Sequence, residues 1–129
     1  MTIFCTYCSA EKDQSEGELP SIERYQGPRL QSVYSASKNL GLRFLILSGK
    51  YGILEPSDPI LNYDYVLKSS EVERHSKLVA GQLKALGVKD LIFFTRKALF
   101  VKPYSECIRL ATEKAGVELY IVYLTMYDA

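Results

Sequence analysis

The chain has 129 residues, 47% hydrophobic and 24% charged, with 16 Lys and Arg set against 15 Asp and Glu for a net charge of +1. That length fits one domain and can bury roughly 65% of the surface an unfolded chain exposes. The near-zero charge excludes a global field that would draw the molecule to nucleic acid or membrane.

The amino terminus, MTIFCTYCSAEKD, has no basic lead and no long apolar segment, so a signal peptide is not expected. Residues 2–8, TIFCTYC, are β-branched, aromatic or cysteine and read as a short buried strand. A polar loop, SAEKDQSEGELP, follows. From Arg29 to Leu40 the apolar positions Leu30, Val33, Tyr34 and Leu40 share one helix face, with Pro28 in its first turn and Gly41 at its end. RFLILS at 43–48 reads as a strand covered on both faces.

A long loop over 49–68 comes next. Ser70 and Glu73 have the spacing of a capping box, ahead of a helix with Val72, Ser76, Val79, Leu83 and Leu86 inside and Gly87 as its stop. DLIFFTR at 90–96 is a third strand. Pro103 opens a third helix with Tyr104, Cys107, Ile108, Ala111 and Ala115 inward, stopped by Gly116. ELYIVYL at 118–124 is a fourth strand. The longest apolar runs, such as LIFF and YIVYL, fall far short of the ~20 residues of a membrane span. A cytoplasmic protein with no membrane partner is expected.

Strands alternating with helices predict a single α/β domain over 1–129, with three α/β/α layers and a four-stranded, mainly parallel sheet. The expected strand order is 2-1-3-4. Such a sheet binds ligands outside the carboxyl ends of its strands, near the switch between strands 1 and 3. Cys8, Ser9 and Lys12 follow strand 1, Ser48, Lys50 and Tyr51 follow strand 2, and Thr95, Arg96 and Lys97 follow strand 3. Basic residues, hydroxyls and a tyrosine at one edge suit an anionic or sugar-bearing ligand.

The loop LSGKYGILEPSDPILNYD (Leu47–Asp64) is shaped by Gly49 and Gly52 and stiffened by Pro56 and Pro59, so it reads as a preformed wall. Asp64 at its end is placed to orient Lys50 or accept a ligand hydroxyl, or else to cap a turn. Ten tyrosines, against five Phe and no Trp, suit base stacking or subunit interfaces, and Tyr7 and Tyr51 are the stacking candidates. Three cysteines are an odd number, against a secreted disulfide framework. Cys5 and Cys8 point to opposite faces of a strand, so no metal site is expected. Cys8, beside Lys12, is the thiol to consider as a nucleophile. His75 reads as a helix residue with no nucleophile partner at a telling spacing.

The Leu47–Asp64 stretch resembles the signature LS-(A/G)-K-(Y/H)-G-(L/I)-L-x-P-x-x-x-(I/L)-x-x-Y-D of an uncharacterised domain family, and is similar to the corresponding LSGLYGxLxP segment of YaaA-like peroxide-stress proteins. CSAEK at 8–12 looks like that family's C-(S/G)-x-x-K element, and ERYQGPRLQ at 23–31 resembles its Y-x-G-x-x-F. The resemblance marks Tyr25, Gly27, Pro56 and Tyr63 alongside the loop residues above. It implies a link to oxidative stress and to DNA.

The expected function is binding of a nucleotide, nucleoside or modified base, with transfer or N-glycosidic hydrolysis as the catalytic form. The alternative is a non-catalytic nucleic-acid-binding or stress-response module, and homo-oligomerisation stays open. Catalytic candidates are Lys50, Asp64 and Cys8. Ligand-binding candidates are Ser9, Lys12, Tyr25, Ser48, Gly49, Tyr51, Gly52, Tyr63 and Arg96, with no cofactor.

Overall fold

Strand β1 (Thr2–Tyr7) is buried from its second residue onward and lies inside the sheet. The computed structural model describes residues 2–125. After β1 the chain forms a two-residue strand β2 (Leu19–Pro20), one helical turn α1 (Ser21–Arg24) and helix α2 (Pro28–Asn39). Strand β3 (Arg43–Ser48) then turns back at once as β4 (Gly52–Leu54), followed by a short β5 (Pro59–Ile60). Helix α3 (Val72–Ala85), strand β6 (Asp90–Thr95), helix α4 (Lys102–Ala115) and strand β7 (Glu118–Tyr123) complete it.

The fold is α/β. Its main sheet has five strands in the order β4-β3-β1-β6-β7, with every pairing parallel except β3–β4. The expected four-stranded sheet is therefore corrected to five strands, with an antiparallel β4 added outside β3. The fifth strand comes from the loop read as an irregular wall. A three-residue turn, Gly49 to Tyr51, reverses the chain, and Ser48 pairs with Gly52, whose φ of 79° only glycine adopts cheaply. Ser48 Oγ accepts the amide protons of Lys50 and Tyr51, both at 3.1 Å, which closes the turn. The outer edge of β4 is covered by Gln82 of α3, which accepts from Ile53 N at 2.7 Å and donates to the Tyr51 carbonyl at 3.1 Å.

Right-handed crossovers leave β1 in opposite directions, so α2 covers one face and α3 and α4 the other. Helix α2 packs on β1 and β3, while α3 packs on α4 and β4. One helix does not cover five strands. Ile92 and Phe94 of β6 stay half-buried, and on β7 Tyr120 is 51% exposed. The capping box also shifts. Glu71, not Glu73, reaches back with its carboxylate, accepting from Lys68 N at 3.0 Å, because a 3-10 turn over Ser69–Glu71 precedes α3. Among the described residues, no helix is long and apolar enough to cross a membrane.

The connections after β1 and after β4 are tied to each other. β2 and β5 pair antiparallel, Ser21 N donates to the Asp58 carbonyl at 2.8 Å, and Ser21 Oγ donates to the Glu55 carbonyl at 2.6 Å. At the centre is Arg24, 0% exposed. Its Nη1 donates to the carbonyls of Asp13 (2.7 Å) and Ser15 (2.9 Å), and its Nη2 to those of Gly17 (2.6 Å) and Ile60 (3.4 Å). Arg24→Ala removes these bonds and leaves the carbonyls of two connections competing for water. A loss of about 2–4 kcal/mol is expected in urea unfolding, with new protease cleavage near residues 13–17 and 58–62. A variant as stable and protease-resistant as the parent would show that Arg24 does not hold the two connections.

Candidate functional site

Several cavities open at the carboxyl edge of β1 and β3, and two of them hold most of the candidate residues. The larger, about 580 Å³, is bordered by Lys50, Asp64, Glu71, Arg74 and His75. The smaller, about 300 Å³, is bordered by the end of β1 (Tyr7, Cys8, Ser9), by Lys12, by the start of α2 (Gly27, Pro28, Arg29) and by Val66, Phe100 and Tyr104. The extended segment through Tyr63 and Asp64 runs between them, and Asp64 borders both.

Tyr63 is fixed by a chain of hydroxyls. Ser48 Oγ already accepts two amide protons, so its own proton goes to Tyr63 Oη at 3.0 Å. Tyr63 Oη in turn makes a very short hydrogen bond to Tyr25 Oη. Lys12 Nζ lies 4.6 Å from the centre of the Tyr63 ring and Lys50 Nζ lies 5.5 Å from it, within reach of the attraction between an ammonium and an aromatic face. Neither lysine has a carboxylate at ion-pair distance among the described residues. Burial pushes the phenols of Tyr25, Tyr63 and Tyr104 well above their usual range, and nearby Cys8 adds to the effect. These three phenols stay neutral and act as hydrogen-bonding groups.

Two glycines allow close approaches here. A Cβ on Gly27 would lie 2.6 Å from Ser9 Cβ, and one on Gly49 would lie 3.0 Å from Tyr104 Oη. Ser9 Oγ accepts from Gly27 N at 3.2 Å and donates to the Glu11 carbonyl at 2.7 Å, pinning the end of β1 to the entry of α2.

Most sequence candidates do gather at this edge, but not in one chamber. Lys50 and Asp64 share the larger cavity, with no ion pair between them among the described residues. Cys8 borders the smaller one, only 9% exposed, with Sγ 3.9 Å from Tyr104 Oη. Tyr63 separates the thiol from Lys50. Ser48 and Tyr25 are buried supports of Tyr63, and Tyr51 meets the Tyr63 ring edge-on at 5.4 Å. Gly52 lies in the hairpin, not on a ligand surface. Tyr7 is not open for stacking, because the Arg29 guanidinium lies 3.5 Å from its ring centre. Arg96 borders a third hollow with Lys97, Lys102 and Tyr123, and its Nε donates to Tyr7 Oη at 3.0 Å. Among the described residues no three His, Cys, Asp or Glu side chains gather as metal ligands.

Three residues at the site escaped the sequence reading. Arg29 borders the smaller cavity at 2% exposure. Its signal was a cation in the first turn of a helix, where the macrodipole disfavours it. Tyr104 was read only as a helix core residue, yet its Oη accepts from Leu67 N at 3.1 Å and faces Cys8. His75 borders the larger cavity with Nε2 2.8 Å from the Ser48 carbonyl. A carbonyl only accepts, so Nε2 carries a proton here, and Nδ1 is the ring nitrogen not engaged in that bond. No family model, curated protein or solved structure matches the chain.

The three phenols predict an alkaline limit to stability. Their pKa values are raised in the fold from the ordinary value of 10. Their contribution is therefore complete below pH 10 and is lost as the pH rises above it, where only the unfolded chain ionises. In a titration, tyrosinate absorbance should rise first from the exposed rings and then again only as circular dichroism reports unfolding. Full ionisation of all tyrosines in a still-folded protein would contradict this burial.

Proposed function

We propose that this edge binds a nucleotide- or nucleoside-like small molecule. The observation that carries the reading is the set of cations without carboxylate partners among the described residues, Lys12, Lys50 and Arg29, placed around tyrosine rings at the carboxyl edge of a parallel sheet. Arg29, though pushed down to about 10 by burial, is still cationic at neutral pH. Tyr65 offers aromatic surface beside both cavities and Tyr63 beside the larger one. The resemblance of Leu47–Asp64 and of residues 8–12 and 23–31 to a shared signature supports a common use for this edge.

The catalytic form of this reading is base transfer or N-glycosidic hydrolysis in the larger cavity. Asp64 would face a sugar whose anomeric carbon becomes positive, Lys50 would stabilise the departing base, and His75 Nδ1 would take a proton from water. Cys8, across the Tyr63 segment, has no part in that arrangement.

A second reading, a nucleic-acid-binding module, is favoured by Lys50 and Arg74 at the open rim of the larger cavity, where Arg74 is 84% exposed. A thermal-shift screen of nucleotides, nucleosides, free bases and short oligonucleotides separates the two. A mononucleotide at one hundred times its dissociation constant should stabilise the protein by about 2.7 kcal/mol, and Lys50→Ala should reduce the shift at the same concentration. If only oligonucleotides act, and salt removes the effect, the second reading replaces the first. No shift with any of them would remove both.

A further inference from the structure

Arg29 carries a positive charge that no side chain neutralises. Its Nη1 donates to Thr6 Oγ1 at 2.6 Å and to the Tyr7 carbonyl at 2.8 Å, and its Nη2 donates to the Cys8 carbonyl at 3.1 Å. A guanidinium has five N–H groups. Two of them, on Nε and Nη2, have no protein partner among the described residues. No carboxylate among the described residues lies within ion-pair distance. Arg24 shares an unpartnered Nε among the described residues, but both its Nη atoms are fully used by carbonyls and it borders neither cavity.

Adjacent donors on one guanidinium match the two oxygens of a phosphate or carboxylate. Arg29 is also part of the first turn of α2, which borders the same cavity and carries the positive end of the helix dipole. The rest of the wall is mostly apolar, with Ala10, Val66 and Phe100 on the outer side. Glu11 and Asp64 border it too, and their negative charge disfavours a polyanion. Resting on the reading above, we infer that the smaller cavity takes a small molecule with a terminal phosphate or carboxylate, gripped by Arg29 and the α2 amino terminus, with its less polar body against Val66 and Phe100. A group flanked on both sides by polymer does not reach a guanidinium that is 2% exposed, so a phosphodiester within a nucleic-acid strand does not fit.

Calorimetric titration with AMP, adenosine, inorganic phosphate and benzoate tests this on the full chain, together with Arg29→Lys and Ala10→Trp. Lysine keeps the charge but loses the paired donors. Ala10 is exposed, so tryptophan there blocks the cavity without touching the core. AMP should bind at least about tenfold more tightly than adenosine, Arg29→Lys should weaken AMP by about tenfold or more, and Ala10→Trp should abolish binding with an unchanged unfolding midpoint. Should Arg29→Lys fail to fold, Ala10→Trp alone decides.

If adenosine binds as well as AMP, the anion site is overturned while the nucleoside reading stands. If phosphate or benzoate binds and is lost in Ala10→Trp while adenosine and AMP do not bind, the anion site stands and the nucleotide reading falls. AMP binding untouched by Ala10→Trp would place the phosphate elsewhere and overturn the inference. No binding by any of the four overturns both.

Discussion

One buried guanidinium sets the geometry of the whole edge. The connections after β1 and after β4 have little regular structure of their own, so their carbonyls need partners from outside the backbone ladder. Arg24 supplies them to both connections at once. Tyr25 follows it directly in the chain, and Tyr63 comes three residues after Ile60, whose carbonyl Arg24 holds. The distance between the two phenols is thereby fixed, and with it the reach of Tyr63 to Ser48. Residues far apart in sequence thus become one wall, and the wall divides the edge into two chambers.

The chemistry follows from what burial does to each group. The phenols around Cys8 are held neutral, so they offer directional hydrogen bonds without charge. The cations are kept instead, because a guanidinium tolerates desolvation far better than an ammonium when carbonyls surround it. Negative groups, Asp64, Glu11 and Glu71, are exposed or half-buried at the rims. At the larger cavity Lys50 and Arg74 are exposed beside these carboxylates, whereas at the smaller one Arg29 is buried.

Legibility in the sequence followed the length and periodicity of each element. RFLILS and DLIFFT were readable because each carries an unbroken run of four apolar residues, as a buried parallel strand does. GIL was not, since three apolar residues between a glycine turn and a proline carry no period, and the fifth strand was missed with it. The candidate residues were recognisable by type and by their place near strand ends, and the structure brings Cys8, Ser9, Lys12, Lys50 and Asp64 to one edge. Which chamber each would enter depends on the path of residues 61–66, and that path is set by Arg24, a residue the sequence presented as one more polar position. Ser48 looked like a loop hydroxyl, whereas its main task is to close the hairpin turn. Arg29 was hidden because basic residues in helices are usually solvated, and only its position in the first turn marked it.

The two edges of the sheet are finished differently. Beside β4, the amide of Gln82 stands in for a neighbouring strand by satisfying one backbone donor and one acceptor. Beside β7, no strand is paired on the outer side among the described residues, and Tyr120, Val122 and Tyr123 are exposed there. In the main sheet, among the described residues, strand addition is therefore open at β7 and blocked at β4 by a side chain, and two copies joined through β7 would use up the open edge of both.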